Sequence, residues 1–185
     1  AAEVLEAEGY VFVDFYGDGC VPCQALMPTV HAYADTYGDK LKFCALNTTK
    51  ARRVAIDAAA KFYQGNLSQA ESFLRSRGYD YNDKVLAEYG VGYAPAGNVA
   101  MRQLTERGYS QQLLTDVGVL GKSQDGRSYD FFRDRIMFPF YDVSGRVIAF
   151  SGRIVTPNEK AGKYVNTGET PIFRKGQHIF GLYQA

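Results

Sequence analysis

Apolar residues change their spacing along this chain, and each change marks a different kind of element. Tyr10-Val-Phe-Val-Asp-Phe-Tyr16 is a short β-branched and aromatic run bounded by Gly9 and Gly17, the pattern of a buried strand. Leu26, Met27, Val30, Tyr33, Ala34 and Tyr37 then recur at helical spacing as far as Gly38. They predict a helix that carries Cys20-Val-Pro-Cys23 in its first turn, is kinked by Pro28 and is ended by the glycine. Lys42-Phe-Cys-Ala-Leu46 reads as a second strand. Residues 10 to 46 thus predict a β-α-β unit with parallel strands and a right-handed crossover.

From the alanine-rich segment at Asp57 the pattern predicts a mainly helical stretch. Helices are expected near 68–77, 82–89, 98–107 and 110–117, closed in turn by Gly78, Gly90, Gly108 and Gly118. After Val119 the texture turns to strands. Arg135-Ile-Met-Phe-Pro-Phe-Tyr141, a turn at Asp142-Val-Ser-Gly145 and Arg146-Val-Ile-Ala-Phe150 running on to Val155 form a hairpin signal. There are no internal repeats, low-complexity tracts or Gly/Ser linkers, so a change of texture near residue 57 falls inside a predicted helix and not in a tether.

The formal net charge of +1 averages two unlike ends. Residues 1–56 hold five Lys or Arg against seven Asp or Glu, and residues 121–185 hold ten against six, which suggests different partners for the two ends. No apolar run reaches the roughly 18 residues of a membrane helix, and no signal peptide is recognisable. Three cysteines, two of them in one CxxC, suit redox chemistry or metal binding better than a disulfide framework. A soluble protein of the reducing cytoplasm, without a membrane partner, is the expectation. Because the chain starts at Ala1 and stops at Ala185 with no tapering polar tail, it is expected to be cut from something longer.

A cysteine at a helix N-terminus gains from the helix dipole and free amides, which can lower its pKa from about 8.5 to about 7 in CxxC sites. Cys20 would be the attacking thiolate, Cys23 the resolving thiol, and Asp14, costly to bury in an apolar strand without a task, the proton relay to Cys23. A zinc site would need further ligands. Beyond the CxxC only Cys44, His31 and the distant His178 are on offer, and Cys44 in mid-strand reads as a small core residue, so no metal site is assigned. Val11-Phe-Val-Asp-Phe-Tyr16, Cys20-Val-Pro-Cys23 and Lys42-Phe-Cys-Ala-Leu-Asn47 together resemble the thioredoxin family over roughly residues 3–56. Gly19 and Val21 depart from the aromatic residue and the glycine usual in that family's motif. Its cis-proline loop, last two strands and last helix have no counterpart before the helical segment, so the cysteines can also be read as relics of an incomplete fold.

In the last third, basic residues sit at strand ends while strand interiors stay apolar. Such residues can line a groove for a phosphate backbone, and Tyr164 beside Lys163 can stack on a base. The plainer alternative is a solvated hairpin whose arginines pair with Asp134, Asp142 and Glu159. The strings Arg77-Gly78, Tyr89-Gly-Val-Gly-Tyr-Ala-Pro95, Arg133-Asp-Arg-Ile-Met-Phe-Pro139, Gly145-Arg-Val-Ile-Ala-Phe150, Lys163-Tyr-Val-Asn-Thr-Gly-Glu-Thr170 and Gly181-Leu-Tyr183 resemble, in order, the amino-terminal subdomain of the catalytic core of bacterial DnaG-type primases. Gly168 departs from the proline usual there.

Together the two resemblances imply an α+β chain: a β-α-β thioredoxin-like half over 1–56, then a helical segment and a strand-rich primase-core subdomain over 57–185. The second covers residues 57–185. It implies that Arg135, Arg153, Lys163, Tyr164 and Lys175 guide a single-stranded DNA template and approach nucleotide phosphates. It also implies a divalent metal only in a following Toprim part, and contact with a replicative helicase through regions outside this sequence. On this reading the chain is catalytically incomplete for RNA primer synthesis. A thiol-disulfide oxidoreductase working through Cys20 and Cys23, and an artificial joining of two gene pieces without a function of its own, are the competing readings.

Overall fold

A computed structural model of the chain describes residues 9–158 and 161–184. It divides into two compact units, Ala1–Ala51 and Arg52–Ala185. The smaller contains strand β1 (Val11–Tyr16), helix α1 (Val21–Tyr37) and strand β2 (Lys42–Asn47). The strands pair in parallel from Val11 opposite Lys42 to Tyr16 opposite Asn47, the β-α-β arrangement that the alternation of textures predicts. Helix α1 runs unbroken through Pro28 and has no fully buried residue. Phe15 is 64% exposed and Leu26 51%, so the described residues of this unit draw little stabilisation from burial.

Helix α2 (Thr48–Gly65) starts nine residues before the alanine-rich segment that predicts it. The reason is local. Asn47 Oδ1 accepts from the Lys50 amide at 2.8 Å, an N-cap bond, and Thr48 Oγ1 donates to the Tyr16 carbonyl at 3.0 Å.

In the larger unit, α2 buries Ala55, Ile56, Ala59, Ala60, Phe62 and Tyr63. It packs on a four-stranded antiparallel sheet of β3 (Gly92–Ala94), β6 (Arg135–Tyr141), β7 (Val147–Ile154) and β8 (Tyr164–Asn166), in that order. Gly92 makes the close approach possible: a Cβ there would lie 2.5 Å from the backbone carbon of Tyr63. Tyr63 meets Phe150 edge-on, with ring centroids 5.2 Å apart.

The opposite face of the sheet carries a second apolar cluster. Tyr93 and Ile136 pack there with Leu67 and Ala70 of a 3₁₀ turn (Leu67–Ala70), Leu74 of α3 (Glu71–Ser76) and Leu86 of α4 (Lys84–Glu88). Both faces being covered, β6 is apolar at nearly every position. Pro139 is tolerated because it lies beyond the three β6 residues that pair with β3, where that edge of β6 has no partner strand.

Helices α5 (Val99–Glu106) and α6 (Gln111–Asp116) precede a small hairpin of β4 (Leu120–Lys122) and β5 (Ser128–Asp130). The expected helices are thus present in shorter form, and Gly78, Gly90, Gly108 and Gly118 all have positive φ, as the glycine punctuation requires. The short strands β3, β4 and β5 are additions to the expected set.

Candidate functional site

Register decides which basic residues share a face. Arg153 of β7 lies opposite Ile136 of β6 and opposite Tyr164 of β8, whereas Arg135 lies opposite Ile154. Since side chains alternate along a strand, Arg153 and Tyr164 project to one side of the sheet and Arg135 to the other.

On the Arg153 side, the guanidinium stands 5.8 Å from the centre of the Tyr164 ring and 5.5 Å from that of Phe73. A second guanidinium, Arg77, stands 5.4 Å from the same Phe73 ring. Local folding holds Arg77 there. It is the C-cap of α3, followed by Gly78 at φ +83°. The amides of Gly78 and Tyr79 donate to the carbonyls of Arg75 and Leu74, both at 3.0 Å, which is a Schellman closure.

Arg75 pairs with Glu71 at 2.6 Å. Arg77 and Arg153 have no carboxylate within ion-pair distance among the described residues. Two like charges therefore converge on one ring at the edge of an apolar groove of about 330 Å³, whose wall includes Tyr79, Tyr89, Phe138 and Phe180. An anion entering beside this ring would be attracted by both guanidinium groups. Tyr164 is 52% exposed, so its ring is free to stack.

Arg135 is not part of that face. It is 6% exposed, and its Nη1 donates to the carbonyls of Gly152 at 3.0 Å and Gly162 at 3.1 Å. A Cβ on Gly152 would lie 2.9 Å from Arg135 Cδ, so the glycine makes room for the arginine stem. Burial pulls the Arg135 pKa down against the opposing Asp134 carboxylate. Arg135 is thus committed to tying β6 to its neighbours, and the expectation that it lines one path with Arg153 is corrected.

Lys163 is exposed and immediately precedes β8, its carbonyl accepting from Ile154 N–H at 3.0 Å. On extended backbone it faces away from its neighbour Tyr164. Lys175 is exposed in a 3₁₀ turn (Lys175–Gln177). Phe173 anchors that segment on Phe140 at 5.4 Å, and Phe140 follows Phe138 by two residues, on the Arg153 side. Phe73 and Arg77, both essential to the cluster, are not among the residues that sequence reasoning assigns to the groove. The Arg77-Gly78 string was the available signal.

Of the carboxylates offered as arginine partners, Asp142 pairs with Arg146 at 2.7 Å. Its pKa is lowered: burial acts to raise it, but the bonds from Arg146 and from the amides of Arg146 and Ser144 prevail. Asp134 instead accepts from the Tyr93 hydroxyl at 2.8 Å and the Thr156 amide at 3.1 Å. Glu159 lies outside the described residues.

In the smaller unit, Cys20 is the N-cap of α1, its Sγ accepts from the Cys23 amide at 3.3 Å, and the two cysteines form a disulfide. Asp14, opposite Ala45, is half-buried. It makes no hydrogen bond or ion pair among the described residues. Cys44 is a free, half-buried thiol. Among the described residues no group of three or more His, Cys, Asp or Glu is placed to hold a metal ion, and no helix is long and apolar enough to cross a membrane.

A family model described as DNA primase catalytic core, N-terminal domain, matches residues 59–185, and one described as thioredoxin matches residues 1–63. The DNA primase of Escherichia coli O6:H1 is 39% identical over 136 residues, covering 70% of this chain and 23% of that protein. The DNA primase of Pseudomonas putida is 38% identical over 138 residues, 70% of this chain and 20% of that protein. The chain therefore spans about a fifth of the length of these relatives.

Among solved structures, a DnaG primase catalytic domain bound to ssDNA superposes with a TM-score of 0.64 at 35% identity, covering 73% of this chain and 44% of that one. The zinc-binding and RNA polymerase domains of Aquifex aeolicus primase superpose with a TM-score of 0.66 at 29% identity, covering 85% of this chain and 39% of that one.

Proposed function

Given that the chain belongs, through residues 59–185, to the family of the DNA primase catalytic core N-terminal domain, we propose that its larger unit holds single-stranded DNA template for a bacterial primase. The observation that carries this reading is the convergence of Arg77 and Arg153 on Phe73 without carboxylate partners among the described residues. Guanidinium groups so placed grip a phosphate backbone without reading sequence. Tyr164 offers a base a ring to stack on beside them. The solved relative that carries ssDNA supports the assignment.

Template guiding would serve RNA primer synthesis in the cytoplasm, with ribonucleotides as further ligands and a replicative helicase as the partner of the whole protein. The divalent metal of that chemistry finds no fitting donor set among the described residues, where no group of three or more His, Cys, Asp or Glu is placed to hold one, and where Asp130 and Asp134 are bonded to backbone amides and to Tyr93. The larger unit binds and orients; bond making belongs elsewhere in the whole protein.

Fluorescence anisotropy of a labelled oligo(dT) tests the reading. Tyr164→Ala should weaken binding by about 1–3 kcal/mol and leave its salt dependence nearly unchanged, because a ring carries no charge. Wild-type affinity in Tyr164→Ala would remove the stacking role.

A second reading is favoured by one specific observation, the Cys20–Cys23 disulfide at the start of α1. In its dithiol form, Cys20 thiolate would attack a substrate disulfide. Cys23 would then displace the mixed disulfide, releasing the substrate dithiol and restoring the Cys20–Cys23 bond. With dithiothreitol as the reductant, insulin reduction by the chain should exceed the uncatalysed rate and return to that rate in Cys20→Ser. Equal rates for the two proteins would leave the cysteines without a redox role.

A further inference from the structure

The apolar groove beside Arg77 and Arg153 is deeper than a grip on phosphate requires. Its floor comes from β6. Ile136 lies opposite Arg153, so Ile136 and Phe138, two residues on, project to the Arg153 side. The walls are aromatic: Phe73 of α3, Tyr79 just beyond that helix, Tyr89 at the C-cap of α4, and Phe180, whose ring meets Phe138 edge-on with centroids 6.5 Å apart. Tyr79 is 48% exposed and Phe180 45%, so each offers ring surface that the fold itself leaves uncovered.

Chain order places grip and wall together. Arg77 and Tyr79 both line the groove, with Gly78 at φ +83° turning the backbone between them. A ligand held at Arg77 by an anionic group therefore has its neighbouring atoms beside the Tyr79 ring. Apart from the two guanidinium groups, the hydroxyls of Tyr79 and Tyr89 are the polar side-chain groups of the lining among the described residues.

The dimensions select the occupant. At about 330 Å³ the groove lies at the small end of ligand cavities. A docked helix needs a row of pockets for anchors a turn apart, whereas one cavity of this size provides for a single ring system. The two guanidinium groups, without carboxylate partners among the described residues, call for an anion joined to that ring. A nucleotide unit of a strand carries both, a flat aromatic base and a phosphate a few bonds away.

We infer that the groove receives one nucleobase of the strand, turned out of line from its neighbours and held against the rings of Phe73, Tyr79 and Phe180 while Arg77 and Arg153 hold its phosphate. The inference rests on the template reading and adds a base pocket to it. With few polar groups to read a base edge, the pocket takes a base by ring area and not by identity, as a template of any sequence requires. A base of a single strand costs little to turn out, since no pairing is lost.

Fluorescence anisotropy of the full chain with two labelled strands tests the inference. One is a short run of abasic deoxyribose phosphates, and the other is the same run with one central adenine. The readout is the ratio of their affinities within each protein. Wild type should favour the adenine strand about tenfold, the scale of one base–aromatic stack. Val85 lines the groove and is 55% exposed; Val85→Trp, which fills the groove with an indole, should bring the ratio close to one. Tyr79→Ala should lower it, and Tyr164→Ala should keep it. Circular dichroism checks folding, and Tyr79→Ala, which truncates an exposed side chain, carries the test where Val85→Trp fails to fold.

A wild-type ratio near one, or a ratio that survives both Val85→Trp and Tyr79→Ala, overturns the inference and leaves the groove to another occupant, such as an apolar segment of a partner protein. A ratio lost in Tyr164→Ala overturns it as well, since the base then lies on Tyr164. The template reading stands on the abasic strand alone. Binding of that strand by wild type should weaken as salt rises, and salt-independent binding refutes that reading whatever the ratio.

Discussion

Replacing Phe150 with alanine is expected to destabilise the larger unit by about 3–5 kcal/mol, the usual cost of emptying a buried aromatic site. Phe150 is 1% exposed and meets Tyr63 and Phe132 edge-on, so one ring joins the α2 face to the sheet and to the segment before β6. Collapse into the space is opposed by Gly92, whose lack of a Cβ already brings the backbone of α2 against β3. Urea unfolding followed by circular dichroism gives the measurement. A loss below about 1 kcal/mol would show that the site collapses freely and that the core is not packed as described.

Tyr63→Phe, in the same contact, should act in the opposite direction. The Tyr63 hydroxyl is buried without a hydrogen-bond partner among the described residues, and burial pushes its pKa up. Removing that oxygen relieves an unsatisfied group worth about 1 kcal/mol or more. A destabilised Tyr63→Phe would mean that the hydroxyl has a partner.

How far the chain could be read in advance depended on element length. Tyr10–Tyr16 and Lys42–Leu46 were legible as strands because each is a dense apolar run at a change of texture, and residues 68–117 were legible as helices because a glycine that adopts positive φ closes each one. Strand β3 was not, since three residues carry no period and one of them is Gly92. The start of α2 was hidden because its determinant is a single cap, Asn47, followed by two β-branched residues that argue weakly for helix.

The site was legible in residue type and illegible in geometry. Arg135 and Arg153 look alike as basic residues at strand ends. Which face each takes follows from the β6–β7 register, and that register shifts at Phe140 and Tyr141 through an irregularity no hydrophobic pattern reveals. Arg77 was obscured by its place as a helix C-cap, and Phe73 by its resemblance to an ordinary core aromatic. The Asp130 amide donates to Asn98 Oδ1 across 32 residues of sequence, a bond that leaves no periodic trace.

The central claim is that Arg77 and Arg153, converging on Phe73, grip a single-stranded phosphate backbone. The salt dependence of oligo(dT) binding by the full chain measures it most directly, because each neutralised phosphate on a single strand contributes about 0.7 to the slope of log affinity against log salt. With Arg77, Arg153 and Lys175 each meeting one phosphate, the slope should be roughly −2, and Arg77→Ala combined with Arg153→Ala should flatten it by about 1.4 while weakening binding at low salt on the order of a hundredfold. Binding by wild type that ignores salt, or a slope unchanged in the double variant, would contradict the claim.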